Sequence, residues 1–268
     1  AFVQLDPAKV YSMPLIMGPV FDRESLPGRI YGETESLAVT FRTDAGAARA
    51  LVPDCFSVPD DVTASAVFGD FDHVDFMAGG GYRVAYVGVS ARYEGEEIID
   101  GLCILVMWEN ETLPIVSGRE LIGIPKGHAD ISSIRETENG GLRATASEWG
   151  HEVMRLSIPT FKEQNFVVRR AAQKRINAQP WLGYKHIAAI DGPPDASYPM
   201  VVWNEVEIDR LWLGDGGALE FGSADEDDLG QQAVVIRALR TLPIGEIVFA
   251  AHVRGSAVLR LDRSRRLG

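Results

Sequence analysis

Five stretches of this chain, residues 36–41, 82–93, 102–108, 142–149 and 201–208, are dense in β-branched and aromatic residues. Several alternate apolar with polar, the period of a half-buried antiparallel strand. Glycine- and proline-rich turns punctuate them, at 79–81 (GGG), 139–141 (NGG), 192–194 (GPP) and 214–217 (GDGG). Helix signals are fewer. Asp44 caps a short predicted helix that runs through Ala50 and stops before Pro53. A second is predicted from about Asp228 to Leu242: acids at 225–228 suit its positive end, Val234, Val235, Ala238 and Leu239 mark an apolar stripe, and Pro243 stops it. A third spans 160–176. Strands and helices do not alternate, which argues against a doubly wound parallel sheet. The expected fold is α+β, built on a large, mostly antiparallel β-sheet with few helices.

Composition narrows the partners. With 268 residues and 46% hydrophobic content, the chain has enough apolar mass for a substantial core. No low-complexity stretch separates two halves, so one domain over 1–268 is expected. A formal net charge of −12 argues against a general nucleic-acid binder. The one basic cluster, Arg169, Arg170, Lys174 and Arg175, falls on a predicted helix and reads as a solvated or interface face. Cys55 and Cys103 are too few for a disulfide framework or a structural zinc site, and both sit among apolar residues as buried thiols. No apolar run approaches the roughly 20 residues of a membrane span. The opening AFVQLDPAKV lacks the charged and apolar regions of a signal peptide, so a cytoplasmic location is expected.

Standard catalytic motifs are absent: there is no HExxH, no phosphate-binding Walker loop, no GxSxG and no GxGxxG after a strand. His73, His128, His151, His186 and His252 show no metal-ligand spacing. Asp70, Asp72 and Asp75 lack the pattern and closing glutamate of a calcium loop. Neither a metal nor a cofactor is expected. What remains is SGRELIGIPKGHADI at 117–131. Lys126 there follows Leu121, Ile122, Ile124 and Pro125 and precedes Gly127. Desolvation in such a setting lowers a lysine's pKa, and the neutral amine attacks carbonyls.

The same stretch resembles the acetoacetate decarboxylase superfamily, whose hallmark is Gly-Arg-Glu-Leu leading into Pro-Lys. Here it is Gly118, Arg119, Glu120 and Leu121, then Pro125 and Lys126. Weaker blocks follow in order: Arg42-Thr43-Asp44 with Leu51-Val52-Pro53, and Leu242-Pro243 with Glu246-Ile247-Val248 and His252. The resemblance covers about residues 14–260 and implies that Lys126 forms a Schiff base. A lysine activated by desolvation or a neighbouring cation is the general description of this enzyme class.

Departures from the decarboxylase pattern shape the expected reaction. Gly127 stands where a second lysine follows the first; Thr34 and Val84 align with an arginine and a glutamate; Tyr82 matches a tyrosine. With the neighbouring cation gone, desolvation is expected to do most of the tuning of Lys126. A protonated imine is an electron sink for more than decarboxylation, and some superfamily members act as pyruvate aldolase–dehydratases. A glutamine of that subgroup, four residues before the lysine, is replaced by Ile122. The expected activity is therefore a Schiff-base lyase on a small 2-oxo acid, with aldolase–dehydratase or hydratase chemistry. The alternatives are a β-keto-acid decarboxylase and a non-catalytic ligand-binding relative. Lys126 is the expected nucleophile. Tyr82 is a candidate proton shuttle or a packed strand tyrosine; Glu120 is a candidate acid/base or a partner of Arg119. Arg119, Thr34, Val84, Ile122 and His252 are the substrate-binding candidates, Arg119 also having a structural reading. Expected partners are a small keto acid and, in the aldol direction, an aldehyde. Neither nucleic acid nor membrane is expected, and the chain is read as a homo-oligomer, a tetramer being one arrangement.

Overall fold

The alternating stretches lie inside longer strands in the computed structural model, which describes residues 4–268. In chain order these are β1 (Gly28–Arg42), β2 (Thr63–Val74), β3 (Tyr82–Glu94), β4 (Ile98–Glu109), β5 (Lys126–His128), β6 (Trp181–Ile187), β7 (Ala196–Gly214) and β8 (Ile247–Arg266). They form a large, mostly antiparallel sheet in the order β3-β2-β1-β8-β7-β6-β4-β5. Two pairings are parallel, β6 with β4 and β5 with β4. Because β4 also pairs antiparallel with β3, the sheet curls round and closes into a seven-stranded barrel. Closure removes the exposed edges that an open sheet this wide would carry.

Period-two alternation gives the barrel wall two different faces. On β4, Val106 and Trp108 face outward to the main core, while Met107 and Glu109 face in. The outward face, with Leu37, Phe41 and Phe68, packs against Met154, Leu156 and Ile158. Those three lie on a second sheet of five strands, centred on Leu142–Glu148 paired with His151–Ile158. Cys103 is buried, and burial pushes its thiol up to about 12; Cys55 is half-buried.

The helices correct three expectations. The short one, α1 (Ala45–Arg49), forms as expected, with Asp44 accepting from the amide of Ala47. An unanticipated helix, α2 (Thr112–Ile122), carries Gly118-Arg119-Glu120-Leu121. Its signals were a proline in the first turn, Pro114, and Gly123 after the last turn at φ +67°. The expected 160–176 helix starts later, as α3 (Phe166–Asn177), because Asn165 caps the amides of Val167 and Val168. Residues Phe161–Glu163 instead pair with β7. The basic cluster lies on α3, none of whose residues is buried, and there the Arg169 guanidinium donates to the Asp209 carbonyl. The expected 228–242 helix is two: α4 (Glu226–Leu229), held by an Asp225–Asp228 capping box, and α5 (Gln231–Leu239). Gly230 breaks it at φ +55°, and Leu242 lies beyond its end. Trp149, expected in a strand, sits in the turn after it at φ 49°. Among the described residues no helix is long and apolar enough to cross a membrane.

Leu156 is fully buried between the two sheets, so Leu156→Ala removes apolar contact and leaves a cavity. Denaturant unfolding is expected to show a loss of about 2–5 kcal/mol. Ile190→Ala, at a fully exposed side chain, is expected to stay within about 0.5 kcal/mol of the parent.

Candidate active site

Lys126 reaches the barrel because the chain turns sharply after α2. Gly123 adopts the left-handed conformation, and Ile124 and Pro125 lead directly into β5. There Lys126 stands opposite Met107 of β4, and the Met107 amide donates to the Pro125 carbonyl. Arg119 fixes the segment from the other side, donating to the Lys126 backbone carbonyl at 2.8 Å. The lysine side chain runs beneath α2 at Gly118. A Cβ at that position would lie 2.3–2.7 Å from Lys126 Cε, Cδ and Nζ, so only glycine admits the lysine there.

Lys126 is 8% exposed, and its amine donates to Glu109 Oε1 at 2.7 Å and to the Pro114 carbonyl at 3.1 Å. Lys126 is buried, and a buried carboxylate faces its amine. Glu109 is 1% exposed, and burial raises its pKa above the ordinary carboxylate range, with the neighbouring Lys126 partly offsetting this. Its second oxygen, Oε2, is buried without a hydrogen-bond partner. Sequence reasoning missed Glu109. The available signal was a carboxylate ending an apolar strand, two residues after Met107 and on the same face.

Lys126 sits between two chambers. The outer one, about 420 Å³, is mainly apolar, with Met13, Met17, Leu113, Val116 and Leu261 among its walls. The inner one, about 130 Å³, lies inside the barrel and receives side chains from all seven of its strands. Lys126, Tyr31, Tyr82 and Ile122 line both. The Tyr82 hydroxyl donates to that of Tyr31 at 3.5 Å. Burial pushes Tyr31 up to about 12 and Tyr82 well above the usual phenol range, so both are neutral hydrogen-bonding groups at physiological pH. Thr34 and Val84 line the inner chamber.

The outer chamber also holds a cation that sequence reasoning missed. The Arg29 guanidinium lies between the rings of Phe21 and Phe76, at 4.4 and 4.9 Å from their centroids. Burial lowers its pKa, and among the described residues it forms no ion pair. Its signal was its place two residues before Tyr31 on one strand face.

Other candidates lie elsewhere. Glu120 accepts from Ser12 Oγ at 2.8 Å and lines neither chamber. It is Glu109, not Glu120, that meets the amine. Arg119 is spent on the backbone of Lys126, its structural reading. His252 is stacked on Trp212 with ring centroids 4.6 Å apart, and pairs with Glu35 at 2.6 Å, outside both chambers. Asp70 pairs with Arg83. Among the described residues no group of three or more His, Cys, Asp or Glu side chains is placed to hold a metal ion.

Comparison with known proteins places this geometry. The family described as acetoacetate decarboxylase matches residues 12–263, nearly the whole chain. The chain belongs to the acetoacetate decarboxylase family. An acetoacetate decarboxylase of Acidiphilium cryptum is 24% identical over 242 residues, covering 85% of this chain and 84% of that protein. A solved acetoacetate decarboxylase superposes with a TM-score of 0.76 at 20% identity, covering 97% of this chain and 95% of the other. The enduracididine biosynthesis enzyme MppR, complexed with the condensation product of pyruvate and imidazole 4-carboxaldehyde, superposes with a TM-score of 0.69 at 20% identity. Coverage is 97% of each chain. These two structural likenesses establish the fold.

Two departures from the decarboxylase pattern look different in three dimensions. Val84 of β3 is paired in register with Glu109 of β4, so a carboxylate stands one strand over from the position that lacks it. Thr34, on the inner chamber, supplies no cation, but Arg29 places one on the outer chamber.

Gly118→Ala tests the fit beneath α2. The added methyl meets the end of the Lys126 side chain and displaces it, although alanine is the better helix former by about 0.5–1 kcal/mol. Melting temperature is expected to fall, because displacing the amine leaves Glu109 unpaired, and this outweighs the gain in helix propensity. Borohydride trapping of pyruvate on Lys126 is expected to fall at least about tenfold through misplacement of the amine.

Proposed function

We propose that this family member forms an imine between Lys126 and a small 2-oxo acid, and uses it for carbon–carbon bond formation or its reverse. The observation that carries this reading is the buried Lys126–Glu109 pair at 2.7 Å, at the boundary of two chambers. One proton passes from the ammonium to the carboxylate, leaving a neutral amine and a neutral acid. The raised pKa of Glu109 favours this transfer. The amine adds to the C2 carbonyl, and the carbinolamine loses water using the proton held by Glu109. An iminium and a carboxylate remain, so protons balance. Arg29, unpaired in the outer chamber, suits the substrate's carboxylate. Glu109, again ionised, is then placed to remove a C3 proton and give the enamine. The lysine itself supplies the electron sink, so the scheme calls for no cofactor.

What the enamine attacks is read from space. The inner chamber lies beyond the amine and offers room for a second reactant, an aldehyde. Gly127 and Val84 leave out two side chains of the decarboxylase pattern. Tyr82, lining both chambers as a neutral phenol, is the proton donor to the new alkoxide. Decarboxylation of a β-keto acid is the second reading, favoured by the curated relatives and by the presence of Arg29.

Borohydride with pyruvate is expected to leave one adduct, on Lys126, absent from Lys126→Ala; labelling elsewhere or nowhere refutes the imine. With pyruvate and a simple aldehyde, a conjugated enone followed by absorbance is expected, with little carbon dioxide from acetoacetate. Robust decarboxylation without condensation would select the second reading. Glu109→Gln removes the proton acceptor, and trapping is expected to slow by about 100-fold or more. In the parent, trapping should rise with pH as Glu109 ionises, along a limb displaced above the ordinary carboxylate range. That limb should be missing in the glutamine variant.

A further inference from the structure

The outer chamber is wide, and its wall makes few polar demands. Its volume of about 420 Å³ falls in the range of sites that enclose a whole ligand, about 300–1,000 Å³; the inner chamber, at about 130 Å³, falls below it. Besides Lys126, Arg29 is the one charged side chain on this wall among the described residues, and none of those residues brings a carboxylate to it. Two of its hydroxyls already donate within the protein, Ser12 to Glu120 and Ser117 to the Pro114 carbonyl. Most of the remaining wall is apolar, with Val20, Val116 and Leu121 beside Met13, Met17 and Leu113. The last three are all exposed, so large apolar side chains that meet water converge on this one space.

Such a wall selects a ligand by the surface it can cover. Pyruvate carries a single methyl beyond its carbonyl, and most of the apolar surface would stay in water around it. A cationic substituent would meet Arg29 and Lys126 with no carboxylate to receive it. A polyhydroxylated chain would give up water for walls that return few hydrogen bonds. An aliphatic chain has no hydrogen bonds to lose, and it gains with each methylene brought against Val116, Leu121 and Leu113. The methionines, unbranched and polarizable, adapt to chains of different length. An anionic head with an apolar tail matches both the guanidinium and the rest of the wall.

We propose that the outer chamber is a tail-binding subsite, and that the oxo acids this protein selects carry an unbranched aliphatic chain from C3. This rests on the imine reading for the placement of C2 at Lys126, and it names the class of acid that the imine would hold. The preference for chain length is a separate, measurable property.

The probes are pyruvate, 2-oxobutanoate, 2-oxopentanoate and 2-oxohexanoate, which differ only by methylenes. Calorimetric titration of the full chain is expected to show affinity rising about threefold to fourfold with each methylene, so that 2-oxohexanoate binds about 30- to 60-fold more tightly than pyruvate. A ratio below about tenfold overturns the subsite. Val116→Trp fills part of the chamber, and there the ratio is expected to fall at least about threefold, whichever way the separate affinities move. A smaller fall places the chain elsewhere and overturns the outer chamber as its site. Should the tryptophan variant not fold, Leu113→Asn is read by the same criterion, since it turns a half-exposed part of the wall polar at nearly constant size. Borohydride trapping in parallel separates the two claims. An adduct on Lys126 without a chain-length preference refutes the subsite only, and a preference without an adduct refutes the imine only.

Discussion

The pair of Lys126 with Glu109 is the interaction on which the rest of this structure turns. Neither charge is tolerable alone at such depth: an unpaired ion inside a protein costs several kcal/mol. Together they are workable, because the amine also reaches the Pro114 carbonyl and its backbone is pinned by Arg119 and by β4. The pair therefore ties together three elements that follow one another in the chain, the end of β4, the start of α2 and the start of β5, with Lys126 only 17 residues after Glu109. It leaves a proton shared between two groups, at the point where a carbonyl compound would have to arrive.

Barrel closure is what makes so deep a pair possible. An open antiparallel sheet commonly has one face on the core and the other in water. Here the second face curls on itself, so both faces of the wall are buried for different purposes. The outward face supplies the close-packed core against the second sheet. The inward face gives up part of that packing to a cavity, lined among others by the polar side chains of Thr34, Ser36, Glu109 and Asn204.

How much of this was legible beforehand depended on distance along the chain. The predominance of strands, the cap at Asp44 and the antiparallel sheet followed from local alternation and turn residues. Lys126 stood out because its motif and its apolar neighbours lie within a dozen residues. Glu109 and Arg29 did not, since what marks them is a partner on another element, Lys126 on the neighbouring strand for the one and the rings of Phe21 and Phe76 for the other, and pairing register is not written in any one segment. β8 was largely overlooked for a different reason. Its arginines mask the alternation, yet they are matched across strands, Arg254 with Glu35, and Arg260 and Arg263 with Glu205. Glu120 misled because it belongs to the motif, while the helix turns it toward Ser12.

The clamp on the Lys126 backbone has a consequence for handedness. A flexible lysine would let a bound adduct rotate and offer either side to an incoming group. Here Arg119 holds the carbonyl, β4 holds the strand and Gly118 admits the side chain along a single path. On the proposed imine reading, a planar enamine carried on such a tether would turn one face toward the barrel interior and the other toward the outer chamber. A reactant waiting inside the barrel would meet only the first. The new carbon centre would then form in one configuration, set by the architecture of the wall.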